Sequence, residues 1–147
     1  MRSRLRGAWF VVCLFVFLPT QAFPVIDLPN LTELQSGWRM TSAKNVTGDD
    51  GRVSLPDFDA SHWYPVQHMP ATVLQVLQES GVYKNLYYGM NLATPGALWK
   101  QDWWYRTTFP APAGRDVYSL IFKGINYRAD IWLNGHKIAN RATAVGM

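Results

Sequence analysis

The sequence predicts an all-β fold, a two-sheet sandwich or jelly roll, with one short helix. Strand-like alternation of side chains recurs between residues 103 and 133. Asn134-Gly135 lies between two such runs and suits a two-residue hairpin turn. Aromatic residues make up 14% of the 147-residue chain, and their side chains favour strands and fill β cores.

The first 22 residues are typical of a secretory signal peptide and are set apart from the fold. Three arginines precede an apolar run at residues 8–18, and the segment ends in the small residue Ala22. The apolar run is too short for a membrane-spanning helix, which needs roughly 20 residues. We expect cleavage after Ala22 and a secreted, extracellular location (periplasmic in a bacterium), without membrane attachment. An uncleaved signal anchor is the alternative.

Removal of this segment nearly neutralises the chain. Three of the 14 lysines and arginines leave with it, so 11 basic residues face 10 acidic ones. No basic run remains that would bind nucleic acid or an anionic membrane surface. The single cysteine, Cys13, also lies in this segment, so the remaining chain offers no disulfide or thiol chemistry.

The amino-terminal half of the remaining chain is predicted to be mainly irregular. Residues 23–36 form an irregular leader, and loose alternation in residues 37–46 indicates a first strand. Asp50-Gly51 predicts a turn, and residues 54–70 contain three prolines, which indicates an extended loop with short strand pieces.

One short helix is predicted near residues 72–80. Val73, Leu74 and Leu77 fall on one helical face, Thr72 can cap the start, and Gly81 can end the helix. A long aromatic loop follows at residues 81–101. Strands are then predicted in residues 102–109 and 117–124, and a hairpin over residues 125–141, with the Asn-Gly turn at its tip.

The residues offer no catalytic, metal or cofactor chemistry of their own. Asp57 and Asp59 could be an acid–base pair, but carboxylates in such a loop more commonly cap turns. The three histidines, His62, His68 and His136, lack a metal-ligand spacing. Neither a Gly-x-Ser-x-Gly nucleophile motif nor a glycine-rich phosphate loop is present.

Aromatic side chains and asparagines leave two further possibilities open. The aromatics can form a β core, or they can present a carbohydrate surface, because the C–H faces of sugar rings stack on indole and phenol rings. Asn30 and Asn45 begin Asn-x-Thr triplets, which are N-glycan acceptors in a secreted eukaryotic chain. Such triplets also arise by chance.

Four segments in a characteristic order carry a family resemblance. They are "FDASHWYPVQHMPATVL", "GVYKNLYYGMNL", "WWYRTTF" and "FKGINYRADIWLNGHKIA". Together they resemble the N-terminal, sugar-binding domain of family-2 glycoside hydrolases, in the branch that contains exo-β-glucosaminidases, β-mannosidases and plant-type endo-β-mannosidases. The resemblance covers about residues 37–147. One departure is Ala71, where relatives usually have glycine.

The resemblance implies a galactose-binding-like jelly roll that is the first domain of a longer retaining glycosidase. An immunoglobulin-like domain and a catalytic barrel with two catalytic glutamates would follow. The only glutamates here are Glu33 and Glu79, which match neither, so we assign no catalytic residue and expect no hydrolysis by this chain alone. Its implied partners are β-linked glucosamine or mannose units and the catalytic barrel.

The strand count is lower than a jelly roll requires. Five or six strands are predicted, against about eight in the fold. We therefore expect residues 37–147 to be a partial domain and the chain a truncated fragment. Two alternatives to a glycosidase domain remain, a stand-alone secreted carbohydrate-binding module and an inactive truncated product.

The resemblance also implies candidate substrate contacts, because one loop of this domain helps to shape the active-site mouth in the family. "LYYGMN" is the corresponding loop, so Asn91 and Tyr88 are candidate substrate-binding residues, and Asn126 is a third. Alternatively, Asn91 caps the loop, Tyr88 fills the core and Asn126 serves a turn. Trp103 and Trp104 face opposite ways, so one belongs to the core and the other can meet a following domain.

Overall fold

The computed structural model describes residues 31–96, 98–114 and 116–144, in which the strands form two antiparallel sheets. The strands are β1 (Trp38–Ser42), β2 (Tyr64–Val66), β3 (Trp103–Arg106), β4 (Ile131–Leu133) and β5 (His136–Ala139). The first sheet has the order β2–β1–β3, and the second is a hairpin of β4 and β5. The helices are α1 (Asp50–Val53) and α2 (Val73–Glu79), with 3-10 turns at Ala43–Asn45, Asn91–Ala93 and Leu98–Lys100.

Strand register gives the three-stranded sheet two distinct faces. Met40 lies opposite Tyr64 in β2 and Tyr105 in β3, so these side chains share the first face. Thr41 lies opposite Trp104, which places both on the second face. Both faces are covered by other parts of the chain, so the sheet lies in the interior of the domain.

Helix α2 covers the first face. Its residues Val76 and Leu77 are buried together with Met40 and Val66. The helix begins where Thr72 Oγ1 accepts a hydrogen bond from the Gln75 backbone N–H at 3.2 Å. The predicted helix near residues 72–80 is thus confirmed, with its amino-terminal cap.

The segment between β1 and β2 covers the second face. Val53, Ala60 and Trp63 are buried there, with Phe58 and Trp104 packed against them. The turn prediction at Asp50-Gly51 was incomplete, because these residues open helix α1. The cause is a local cap: Asp49 Oδ1 accepts the Gly51 backbone N–H at 3.0 Å.

The two adjacent tryptophans of β3 face opposite ways, as predicted. Trp103 packs against the core beneath α2, whereas Trp104 packs against the cluster around Trp63. Both side chains are only partly buried, so the expectation that one of them meets another domain stays a prediction. Short alternating segments do not reveal that both sides of a strand are covered.

The carboxy-terminal hairpin is confirmed over residues 131–139 of the predicted 125–141, whereas the strand predicted before it is not formed. Asn134 and Gly135 have φ values of 48° and 86°, the positive pair that a tight two-residue turn needs. Residues 117–124 have no strand assignment, and Val117 and Ile121 are exposed. Their alternation suits a strand, but none of the described strands pairs with them. Within the described ranges, no helix is long and apolar enough to cross a membrane.

Candidate functional site

The loop between α2 and β3 is held by a succession of tight backbone turns. Tyr88 donates its N–H to the Asn85 carbonyl at 3.0 Å, and Asn91 donates to the Tyr88 carbonyl at 3.2 Å. Asn85 and Gly89 adopt positive φ values of 50° and 57°, which reverse the chain at both places. Leu86 is buried and anchors the loop to the domain.

Asn91 and Tyr88 occupy different settings on this loop. The Asn91 Nδ2 donates to the Asn85 carbonyl at 3.0 Å, so this half-buried side chain fastens the loop. Tyr88 is 80% exposed and does not fill the core. Its neighbours Tyr87 and Met90, 85% and 84% exposed, were not singled out from the sequence. The paired tyrosines are the signal that could have indicated this surface, which we call the tyrosine loop (residues 85–91).

Asn126 lines an open cavity of about 370 Å³. The cavity is formed where the segment before α2 meets the segment before the hairpin, and it is lined by Pro70, Ala71, Thr72, Gly124, Ile125 and Asn126. None of the tyrosine-loop residues lines it. The structure therefore places Asn126 in a cavity that Tyr88 and Asn91 do not line. Ala71, the residue at which the sequence departs from its family pattern, lines the same cavity as Asn126.

Three of the acidic side chains, Asp59, Glu79 and Glu33, serve local structure. Asp59 Oδ1 accepts the Ser61 backbone N–H at 2.8 Å. This backbone hydrogen bond, followed by one from the Ser61 side chain, lowers the pKa of Asp59. Glu79 accepts a hydrogen bond from the Gln75 side chain at 2.9 Å, and Glu33 forms an ion pair with Lys123. The capping role favoured for the aspartates is thus observed for Asp59.

The histidines do not assemble a metal centre. His62 and His136 are exposed, and the His68 Nε2 lies 3.3 Å from the Gln75 Nε2. Within the described ranges, no group of three histidine, cysteine, aspartate or glutamate side chains could hold a metal ion.

An ion-pair network fastens the chain after β5 to both sheets. The Arg141 guanidinium donates to Asp102 at 2.7 Å and to Asp130 at 3.1 Å. Lys137 Nζ lies 3.7 Å from the same Asp130 oxygen and 4.7 Å from the Trp132 ring centre. Asp102 immediately precedes β3, so the network links the three-stranded sheet to the hairpin.

The two candidate glycan acceptors differ in what the structure describes. Asn30 lies outside the described residues, as do the predicted cleavage position after Ala22 and the rest of the first 30 residues. Asn45 is exposed at the end of the 3-10 turn that follows β1. Its Nδ2 donates to the Thr41 Oγ1 at 3.1 Å.

Known proteins similar to this chain are carbohydrate-active enzymes. The chain is 36% identical over 106 residues to an exo-β-D-glucosaminidase of Amycolatopsis orientalis, covering 71% of this chain and 10% of that protein. It is 37% identical over 108 residues to a β-mannosidase B of Aspergillus clavatus, covering 71% of this chain and 11% of that protein. The chain thus spans about a tenth of the length of these relatives.

The fold is similar to part of a solved enzyme. The crystal structure of the Amycolatopsis orientalis exo-chitosanase CsxA matches with a TM-score of 0.60 and 32% sequence identity. The match covers 75% of this chain and 13% of CsxA. The predicted fold class, an all-β galactose-binding-like domain, is confirmed by this match together with the family match. Because the family model for the glycosyl hydrolase 2 galactose-binding-like domain matches residues 38–144, the chain belongs to that family.

Proposed function

We propose that this chain is the non-catalytic amino-terminal domain of a secreted glycoside hydrolase that acts on β-linked glucosamine or mannose. The observation that carries the proposal is the match of residues 38–144 to the galactose-binding-like domain of family 2. The relatives are named for glucosaminidase and mannosidase activities, and the chain corresponds to about a tenth of each. On this proposal the bond-breaking residues belong to the nine tenths that the match does not cover.

The placement of the carboxylates supports a non-catalytic role. Glycoside hydrolysis needs two carboxyl groups that flank the scissile bond, roughly 5 to 9.5 Å apart. Asp59 accepts a hydrogen bond from the Ser61 backbone N–H, and Glu33 forms an ion pair with Lys123. Glu79 accepts a hydrogen bond from the Gln75 side chain. These three carboxylates therefore stabilise a turn, a helix surface and a surface ion pair.

The tyrosine loop supplies chemistry that suits a sugar contact. The exposed Tyr88 ring offers a flat apolar face to the C–H side of a pyranose. The Asn91 amide uses one Nδ2 hydrogen on Asn85, and its second N–H and its oxygen are of the kind that bind hydroxyl groups. Because backbone turns fix the loop, little conformational entropy is lost when it orders against a ligand.

Asn126 provides a second, separate contact in this proposal. It lines the 370 Å³ cavity together with Thr72 and the apolar Pro70 and Ile125. A few polar groups within an apolar lining are typical of small-molecule sites. Export by the first 22 residues, with cleavage after Ala22, places the domain where extracellular polysaccharides occur.

Two assays test the proposal on the purified chain. Incubation with chromogenic β-glucosaminide and β-mannoside should give no hydrolysis, because Asp59, Glu33 and Glu79 are held in local hydrogen bonds and an ion pair. Binding to chitosan and mannan oligosaccharides should weaken roughly three- to tenfold on Tyr88→Ala, the loss of one aromatic contact. Tyr118→Ala, which removes an exposed tyrosine outside both proposed contacts, is the matched control and should bind normally.

Two results would contradict the proposed function. Hydrolysis that persists through further purification would show a catalytic site in this chain. Equal binding by the Tyr88 and Tyr118 variants would show that the tyrosine loop does not contact the substrate.

A second function, a stand-alone carbohydrate-binding module, is favoured by one observation. Tyr87 and Tyr88 are adjacent and both at least 80% exposed. An independent module must hold sugar without help from another domain. Affinity of about micromolar or better for an oligosaccharide, measured on the chain alone, would favour this function over that of an accessory domain.

A further inference from the structure

We propose that Asn45 is an N-glycan acceptor and that the turn at residues 43–48 stays open to solvent in the whole protein. The inference rests on the proposed export of the chain. Asn45, Val46 and Thr47 form the acceptor triplet, and Asn45 and Thr47 are both exposed. Val46 partly packs against the core around Val53, so the triplet has a fixed position on the surface.

The backbone around Asn45 suits an acceptor. Asn45 ends a 3-10 turn, and Val46 has extended geometry with φ −109° and ψ 121°. A methyl group built on Gly48 would meet no atom within 4 Å, so the chain after Thr47 runs through open space. The triplet thus presents its asparagine and threonine side chains at a turn rather than within a paired strand.

The modification replaces one hydrogen of the Asn45 side-chain amide. Nδ2 forms a bond to the anomeric carbon of a lipid-linked oligosaccharide diphosphate. The bond from that carbon to the phosphate oxygen breaks, the diphosphate leaves with the electron pair, and Nδ2 loses a proton. No oxidant or reductant is required.

The folded structure is compatible with the modified side chain. The Asn45 Nδ2 carries two hydrogens, and one is donated to the Thr41 Oγ1 at 3.1 Å. Because glycosylation consumes only one hydrogen, the conjugated nitrogen can keep this bond. Thr41 is only 4% exposed and its hydroxyl needs a partner, so the bond also holds the first sugar's attachment atom in a fixed position.

A glycan at this position limits where a partner can bind. Residues 43–48 follow the end of β1 at which Ser42 lies opposite Trp103. A branched glycan there would prevent another domain from packing against this turn. The surfaces proposed for substrate, the tyrosine loop and the cavity at Asn126, lie on other segments of the chain.

The experiment uses the full chain in a eukaryotic secretory host and identifies peptides by mass spectrometry. Enzymatic removal of the glycan should convert Asn45 to aspartate in its peptide. Thr47→Ala should abolish that conversion while leaving the Asn45–Thr41 hydrogen bond intact. Asn30→Gln, which removes the other triplet, should leave the conversion at Asn45 unchanged.

A second version of the chain tests glycosylation of Asn45 independently of the chain's own leader. In this version, a signal peptide that is known to work in the host precedes Phe23. A glycan on Asn45 in this version supports the acceptor assignment whether or not the chain's own leader works. An unmodified Asn45 in chain recovered from the secretory lumen, or conversion that survives Thr47→Ala, would overturn it.

Discussion

The backbone N–H of Gly135 donates to the Oγ of Ser54 at 2.7 Å, which joins the hairpin tip to the end of helix α1. The same Ser54 Oγ lies 2.9 Å from the Gly51 carbonyl and donates to it, so one hydroxyl links the helix to the hairpin. Residues 49–55 therefore lie between the three-stranded sheet, which they cover on its second face, and the hairpin. Changes in this short segment should affect both sheets.

Gly51→Ala should destabilise the domain by about 1–3 kcal/mol, the usual cost of overpacking. A Cβ at this position would lie 2.8 Å from the Gly135 carbonyl oxygen and 3.4 Å from the Trp132 ring. Since the closer atom belongs to the backbone, the hairpin must move away and strain the Gly135–Ser54 bond. The measurement is the free energy of unfolding in urea.

The control for this prediction lies in the same helix. Arg52 is exposed, so Arg52→Ala should change the free energy of unfolding by no more than about 0.5 kcal/mol. If both variants unfold at the same urea concentration as the parent chain, the hairpin is not tightly seated on α1.

Arg106→Lys should cost about 1–3 kcal/mol of stability, because two charge-assisted hydrogen bonds depend on the guanidinium. Arg106 donates from Nε to the Val53 carbonyl at 2.9 Å and from a terminal nitrogen to the Leu55 carbonyl at 2.8 Å. A lysine ammonium cannot reproduce this fork, so at least one carbonyl loses its partner.

A matched control lies opposite Arg106 in the neighbouring strand. Arg39 also binds two carbonyls, those of Ser61 and Trp63, but at 3.4 and 3.3 Å. Arg39→Lys should therefore cost less than Arg106→Lys when both are unfolded in urea. The reverse order would show that the shorter bonds of Arg106 do not determine the stability of this face.

Elements with a local cause were predictable from the sequence. Helix α2 has its own cap in Thr72, and the hairpin has its own turn in Asn134-Gly135, so both could be located without knowledge of the rest of the fold. The strand predicted at residues 117–124 depends on a partner strand that short-range patterns do not reveal. The second buried cluster, around Trp63, likewise depends on contacts between distant segments.

The candidate site was predictable only in part, for the same reason. The tyrosine loop could be singled out by composition and by family resemblance. The cavity beside Asn126 could not, because residues 70–72 line it from a distant segment. Asn91 donates a hydrogen bond to the Asn85 carbonyl while Tyr88 faces solvent, because the loop turns at two residues with positive φ, Asn85 and Gly89. Of these two, only Gly89 could be recognised from its residue type as a position of positive φ.

Tyr105 should reduce the stability of the domain in alkali. Its side chain packs against the core beneath α2, and this burial raises its pKa from 10.0 to about 12. The raised pKa means that the unfolded chain loses this proton first. Stability is therefore fully present below pH 10 and falls as the pH rises from 10 towards about 12.

Tyr105→Phe should remove this pH-dependent part of the stability. The free energy of unfolding of the variant should therefore fall less steeply over the same alkaline range than that of the parent chain. Tyr118→Phe, which alters a tyrosine that is 52% exposed, is the control and should keep the parent slope. Identical slopes for all three proteins would show that Tyr105 is not shielded from water.

Asp130 should make the attachment of the hairpin sensitive to acid. Its partial burial raises the pKa of the carboxyl group, but hydrogen bonds from Arg141 and the charges of Lys137 and Arg141 together lower it below the ordinary value of 3.8. A lowered pKa means that the unfolded chain binds the proton more readily. The stabilisation is therefore present above pH 3.8 and is lost as the pH falls through the lower, folded-state pKa.

Asp130→Asn should flatten that acid dependence, because an amide cannot titrate and forms no ion pair with Arg141. The measurement is the urea midpoint of unfolding, followed from neutral pH down through the ordinary aspartate range. The control is Asp57→Asn, which alters an exposed aspartate in the segment between α1 and β2 and should retain the parent profile. High salt should weaken the effect of Asp130 as well, since Arg141 is half exposed and its charge is screened. An unchanged acid profile in Asp130→Asn would show that Arg141 does not fasten the hairpin in solution.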